Sequence, residues 1–206
     1  MNPRDTVAAL LLSVVTALVA APTVASQPDM PPWVDARALH EQFARDGKGI
    51  ETAPAAPGRV TVYVVFDPQC PDCIKFWNEA RPLADKVRFV WLPVAILNPK
   101  SEPQGAAILA APDRAAAMEQ HMTRFGSTPR AVNHSGLARD GHPPPSAESA
   151  APPISAREDV WTNSRIFRRG GGRSVPFGVF RDANGAFKVI PDTRTTAELQ
   201  KLLGVN

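Results

Sequence analysis

A predicted strand that runs directly into a helix, with the chain's only two cysteines at the junction, constrains this fold most. Residues 59–66 form an apolar, β-branched and aromatic run between turn residues, which predicts a buried strand. Cys70-Pro-Asp-Cys73 follows and opens a helical pattern. A second apolar run over residues 87–97 predicts another strand. Strand, helix and strand in this order predict a βαβ unit with parallel strand pairing.

The rest of the chain predicts a helical region and then a hairpin with a terminal helix. Residues 127–155 are rich in proline and predict a long, mobile loop. Asn184-Gly185, between two short apolar runs, is a strong hairpin signal. The other predicted elements are a helix from Asp35 to Gly47, helices over 101–111 and 112–126, a helix capped by Ser155 or Asp159, strands over 175–180 and 186–190, and a helix over 195–203. The predicted fold class is therefore α/β, βαβ then ββα, with a helical insertion.

The N-terminus has the pattern of a secretory signal. Arg4 precedes an uncharged stretch over residues 6–21, and small residues lead to Ala25, where we expect cleavage. That stretch is shorter than the roughly 20 residues that cross a bilayer, although a retained membrane anchor is the alternative. The expected organisation is a signal peptide over 1–25, a leader and linker helix over 26–58, and a domain over 59–206 whose insertion covers about 98–170. Export would place the cysteines where disulfides persist.

The charge of the chain gives little sign of a nucleic-acid partner. The formal net charge is +3, and the one basic cluster in the sequence surrounds residues 170–172. A solvated helix C-terminus, where cations interact well with the helix dipole, explains that cluster better than a nucleic-acid patch. The cluster comprises Arg165, Arg168, Arg169 and Arg173. We therefore expect no nucleic acid among the partners.

The cysteine pair has the arrangement of a redox dithiol. Cys70 lies in the first helical turn, where free N–H groups and the helix dipole stabilise a thiolate that can attack a disulfide. Cys73 lies one turn further in, is shielded, and can resolve the mixed disulfide by attacking Cys70. Pro71 removes a donor and stiffens the turn. Asp72 adds a negative charge that disfavours the thiolate, which predicts a less oxidising pair.

Two other uses of the cysteines, a metal site and a structural disulfide, fit the sequence less well. A metal site needs further ligands, and the four histidines, His40, His121, His134 and His142, lie far away in sequence without matching spacing. A structural disulfide across two residues would constrain the unfolded chain very little. We therefore expect no metal and no cofactor.

The segment from Phe66 to Trp77, Phe-Asp-Pro-Gln-Cys-Pro-Asp-Cys-Ile-Lys-Phe-Trp, resembles the active-site segment of thiol:disulfide interchange proteins of the DsbC/DsbG type. The resemblance covers residues 33–203 except 127–155. Its other matching parts are Leu39, Phe43 and Asp46-Gly47-Lys48 in the linker helix, residues 87–96, Pro99 with 106–109, and Ser174-Val175-Pro176 in the cis-proline loop.

The resemblance implies a thioredoxin fold and a periplasmic location. It implies Cys70 as nucleophile, Cys73 as resolving thiol, and a cis Pro176 packed against their turn. The backbone of Val175 would then bind an extended substrate peptide. The implied partners are exported proteins with cysteines and a membrane thiol redox partner of the DsbD or DsbB kind.

Two departures from that family leave the direction of exchange open. The N-terminal dimerisation domain is not found before the linker helix, which predicts a monomer. Val175 replaces the usual threonine, as in the DsbA pattern. We favour a reductase or isomerase, with a disulfide-donating oxidase as the alternative. A non-catalytic periplasmic binding or assembly factor, using Trp33, Trp161 and the Pro-rich loop, is the alternative from another class.

Overall fold

The computed structural model describes residues 31–53, 58–127 and 151–205. The predicted signal peptide and most of the predicted loop over 127–155 lie outside these ranges. In chain order the elements are α1 (Ala36–Asp46), β1 (Ile50–Glu51), β2 (Val60–Phe66), α2 (Pro71–Ala80), β3 (Val87–Pro93), α3 (Ser101–Ala110), α4 (Arg114–Ser127), α5 (Ile154–Arg169), β4 (Phe177–Arg181), β5 (Phe187–Ile190) and α6 (Thr196–Leu203). A short 3-10 turn, Arg81–Leu83, follows α2.

The sheet confirms the predicted α/β class and the order βαβ then ββα. Its strands lie in the order β1-β3-β2-β4-β5. β2 and β3 are parallel, whereas β4 is antiparallel to both β2 and β5. Helices α3, α4 and α5 form the insertion between β3 and β4. β2 therefore lies at the centre of the sheet, and its carboxyl end leads directly to the cysteines.

The two faces of the sheet carry two apolar cores. One core joins α2, α3, α4 and α6 to the sheet, and Trp91 of β3 lies at its centre with its ring 4.9 Å from that of Trp77. The other core joins α1 and the end of α5, through Phe43 and Phe167, to Val65 and Val179. Because both faces of β2 are covered, its burial is continuous from Val62 onward, as the unbroken apolar run predicts.

Helix α1 begins as predicted and β3 ends earlier than predicted. The Asp35 side chain caps α1 by accepting the N–H of Ala38 at 2.8 Å. β3 stops at Pro93 instead of residue 97. The N–H groups of Ile96 and Leu97 donate to the Asp67 carboxylate and so are not available to a neighbouring strand.

The insertion helices begin at other residues than the sequence predicts. α5 begins at Ile154 after Pro153, so Ser155 and Asp159 lie inside the helix and do not cap it. α4 begins at Arg114, because the Asp113 carboxylate accepts the N–H of Ala116. The sequence also gave no signal for β1, whose two residues are defined only by their pairing with β3. No helix within the described ranges is long and apolar enough to cross a membrane.

Candidate redox site

Cys70 is the N-cap of α2. Its backbone is extended, with φ −92° and ψ 114°, and Pro71 occupies the first turn, where its fixed φ suits a helix start. The Cys70 Sγ accepts the backbone N–H of Cys73 at 3.3 Å. The sulfur thus replaces the oxygen that usually satisfies a free N–H group at a helix start. A sulfur in this position is well placed to carry negative charge.

The surroundings of Cys70 favour its thiolate. A hydrogen bond from the Cys73 side chain contributes most to lowering the pKa of Cys70. The N–H groups of Cys73 and Asp72 lower that pKa further, whereas burial and the Asp72 charge raise it. The net direction is downward, so Cys70 is the more acidic thiol and the better nucleophile near neutral pH.

The pKa of Cys73 is shifted in the opposite direction. Burial of the fully enclosed side chain raises the pKa of Cys73 well above its ordinary value. The hydrogen bond that it gives to Cys70, and the charge of Cys70, act in the same direction. Both cysteines are free thiols here. The pair therefore consists of one ionisable sulfur and one protonated sulfur that stabilises it.

The Val175-Pro176 loop lies against the pair, although Val175 and Cys70 are 105 residues apart in sequence. The peptide bond between Val175 and Pro176 is cis, which confirms that expectation. The Cys70 thiol donates to the Val175 carbonyl at 3.5 Å. Cys70 is 4% exposed, and the Val175 carbonyl is one of the groups that lie against its sulfur.

Asp72 acts on the pKa of Cys70 in the predicted direction, but its contribution is small. Its charge is the last of the contributions to the pKa of Cys70 and acts to raise it. The carboxylate points to solvent and pairs with Lys75 at 2.8 Å, which reduces its field at the sulfur. The N–H groups and the Cys73 thiol outweigh this charge, so the net shift of the Cys70 pKa is downward even though Asp72 opposes it as predicted.

A buried carboxylate that the sequence reasoning did not single out supports the site. Asp67, 1% exposed, accepts the N–H of Gln69 at 2.8 Å in addition to those of Ile96 and Leu97. Burial raises the pKa of Asp67, and its hydrogen bonds oppose that rise. Its charge also contributes to the raised pKa of Cys73. Asp67 therefore joins the turn before Cys70 to the loop after β3.

The insertion supplies further buried polar contacts to the same turn. Gln69 Nε2 donates to Gln104 of α3 at 2.6 Å, and His121 of α4 contacts the Pro68 carbonyl at 2.9 Å. An acid and an amide directly after a buried strand were visible in the sequence as polar residues beside the motif. His121 had no comparable signal, since it is a single histidine between apolar helix positions.

The two tryptophans of the alternative binding surface, Trp33 and Trp161, are not among the residues that contact the cysteine pair. Trp33 lies beside the glycine loop after α5, where the Arg173 guanidinium stacks at 5.0 Å from its ring centre. Trp161 is on the outer side of α5 and 46% exposed.

In the part of the chain that the structure describes, no group of three histidine, cysteine or acidic side chains could hold a metal ion.

Comparison with known proteins identifies relatives with this chemistry. The thiol:disulfide interchange protein DsbG of Escherichia coli is 45% identical over 69 residues, which are 32% of this chain and 28% of that protein. DsbG of Pseudomonas aeruginosa is 28% identical over 166 residues, which are 80% of this chain and 57% of that protein. The chain thus matches 28% of the length of the first relative and 57% of the length of the second. No protein-family profile matches it.

The solved structures agree on the fold. A periplasmic thioredoxin-like protein from Salmonella enterica serovar Typhimurium superposes with a TM-score of 0.61 at 16% identity, covering 82% of this chain and 95% of that one. At this identity the similarity concerns the fold alone. The fold is thioredoxin-like, and the sequence is similar to DsbG-type thiol:disulfide interchange proteins.

Proposed function

We propose that this chain is a thiol–disulfide oxidoreductase that acts on exported proteins through Cys70 and Cys73. The observation that supports this proposal best is the opposite shift in pKa of two thiols one helical turn apart. Cys70 has a lowered pKa and Cys73 a raised one, so nucleophile and resolving thiol are distinguished before any substrate binds. The similarity to the two DsbG proteins supports the same chemistry.

The reductive reaction takes two exchange steps. The Cys70 thiolate attacks one sulfur of a substrate disulfide, whose S–S bond breaks as a mixed disulfide forms, and the released substrate thiolate takes up a proton. Cys73 then loses its proton and attacks the Cys70 sulfur, which releases the second substrate thiolate. The substrate disulfide is reduced to two thiols and the Cys70–Cys73 pair is oxidised to a disulfide. A thiol donor must then reduce the pair for another turnover.

The site also has groups that would position a peptide. The cis Val175-Pro176 loop lies over Cys70, and we propose that the Val175 backbone pairs with an extended substrate segment. Pro71 and Asp72 tune the pair in this scheme. We place the protein in the periplasm as a monomer, with a membrane thiol redox partner of the DsbD or DsbB kind. We favour reduction or isomerisation as its direction.

A trapping experiment tests the exchange chemistry. In the Cys73→Ala variant the mixed disulfide on Cys70 cannot be resolved, so incubation with a protein that carries an exposed disulfide should give a covalent complex that dithiothreitol releases. The double variant Cys70→Ala/Cys73→Ala is the control. An unreactive Cys70 and no covalent complex would contradict the proposal, and would favour a non-catalytic binding factor.

The reduction potential of the pair tests the direction. Reducing dithiols such as thioredoxin lie near about −270 mV, whereas the strong oxidant DsbA lies near about −120 mV. We expect a value nearer the reducing end. The lowered pKa of Cys70 stabilises the reduced form, which acts towards the oxidising end, so the measurement is informative. A strongly oxidising value would replace the proposed reductase with a disulfide donor.

A further inference from the structure

We propose that His121, in the inserted helix α4, is a positioning residue that holds the turn carrying Cys70. This inference rests on the proposed redox function and assigns part of the site to the insertion. His121 lies 51 residues beyond Cys70 in the sequence and 2% of its surface is exposed. It contacts the backbone of the turn that precedes the cysteine.

The contact between His121 and this turn has a defined donor and acceptor. Nε2 of His121 lies 2.9 Å from the Pro68 carbonyl oxygen, and burial is the first cause that lowers the pKa of His121. A carbonyl oxygen can only accept, so the proton must be on Nε2 and the neutral imidazole donates it. A carbonyl at a buried position needs such a donor, because leaving it without one carries the full cost of its lost hydration.

The same peptide unit is held from its other side. The N–H of Gln69, in the peptide that begins with the Pro68 carbonyl, donates to the Asp67 carboxylate at 2.8 Å. The Cys70 N–H donates to the Asp67 carbonyl at 2.9 Å. The turn over residues 67–70 is thus fixed by Asp67 within the turn and by His121 from the insertion. Without His121, the Pro68 carbonyl of this peptide loses the His121 hydrogen bond, and the Gln69 N–H keeps its bond to Asp67.

The position of this turn determines how strongly Cys70 is stabilised. Its thiolate depends on the N–H groups of Asp72 and Cys73 and on the Cys73 side chain. Hydrogen bonds weaken steeply with loss of alignment, so a small rotation of the turn would weaken all three together. His121 therefore acts on Cys70 without touching its sulfur.

Three variants test this role by the alkylation of Cys70 with iodoacetamide across pH. His121→Gln keeps an N–H donor near the Nε2 position, and His121→Met fills a similar volume without a donor. Met118→Ala, one turn earlier on α4, removes buried packing and leaves the hydrogen bond in place. We expect Cys70 alkylation at neutral pH to fall about threefold to tenfold in the Met variant, as its pKa rises. The Gln and Met118→Ala variants should stay near the wild-type rate.

The remaining outcomes each decide the matter. The proposal would be overturned if the rate of Cys70 alkylation fell equally in the His121→Gln and His121→Met variants, or fell as much in Met118→Ala. Either result would show that His121 only packs the core. If His121→Met does not fold, His121→Asn replaces it, because its shorter amide does not reach Pro68. The alkylation rates do not depend on disulfide exchange, so a Cys70 that is alkylated but traps no protein would remove the redox function and leave this comparison interpretable.

Discussion

At the scale of single residues, the candidate site depends on how two identical side chains acquire different chemistry. Cys70 is at the helix start, where free N–H groups converge on its sulfur. Cys73 is one turn further and fully buried, which penalises its charged form. A spacing of three residues at a helix start is therefore enough to give one cysteine a lowered pKa and the other a raised one.

The charge beside Cys70 gives the first prediction. In Asp72→Asn the negative charge is removed, so the pKa of Cys70 should fall and its alkylation at pH 6 should accelerate by a small factor. In Lys75→Gln the ion pair is lost, Asp72 acts unopposed, and the pKa of Cys70 should rise. The pH profile of alkylation measures both changes.

Salt provides the control for these two variants. Both side chains are exposed, and the Debye length is about 8 Å at physiological ionic strength, so added salt should shrink both shifts. Shifts of the same sign in the two variants would show that an altered helix start, and not the charge, is responsible.

At the scale of elements, the insertion is packed directly against the active-site turn. Gly105 lies in the middle of α3. A Cβ atom added at this position would lie 3.1 Å from the Pro93 side chain and 3.2 Å from the Val160 side chain. Glycine inside a helix costs about 1 kcal/mol relative to alanine. The close approach of α3 to β3, α5 and Pro68 explains why a glycine occupies this position.

Overpacking at this position is the second prediction. Gly105→Val should push α3 away from Pro93 and lower the free energy of unfolding by about 1–3 kcal/mol, as urea denaturation would measure. Ala110→Val, at the exposed end of the same helix, is the matched control and should cost well under 1 kcal/mol, about the loss of helix propensity alone. Equal costs at the two positions would mean that the α3 contact is not tight.

At the scale of the whole molecule, two buried or half-buried histidines link stability to pH. Burial lowers the pKa of both His121 and His40, whose ring is 5.2 Å from Tyr63 and from Phe187. The unfolded chain then binds more protons than the folded one between the lowered pKa values and the ordinary value near 6.5. Stability contributed by these histidines is therefore present above about pH 6.5 and is lost as the pH falls below it.

The third prediction follows from this linkage. The free energy of unfolding should decrease from pH 7 to pH 5, with a contribution from His121 of at most about 1.4 kcal/mol per pH unit. In His121→Gln that contribution is absent, so the difference between wild type and variant should narrow as the pH falls. Chemical denaturation at several pH values measures it. A difference independent of pH would mean that His121 has the same pKa in both states.

How far the sequence could predict the structure differs from element to element. β2 and α2 were predictable because an unbroken apolar run and a helix-start proline act locally. β1 was not, since two residues become a strand only when β3 lies beside them. The end of β3 depended on a carboxylate from the β2–α2 turn, which no local pattern of residues 87–97 contains.

The sequence by itself determined the dithiol pair, its place between a strand and a helix, and the α/β order around it. Only the tertiary structure decided which groups surround the sulfurs. Val175 and His121 reach the turn from separate elements, and the Cys73 thiol with the aligned N–H groups outweighs both burial and the Asp72 charge in setting the pKa of Cys70. The physical reason is that local propensities act over a few residues, whereas burial and hydrogen-bond geometry depend on where distant segments meet.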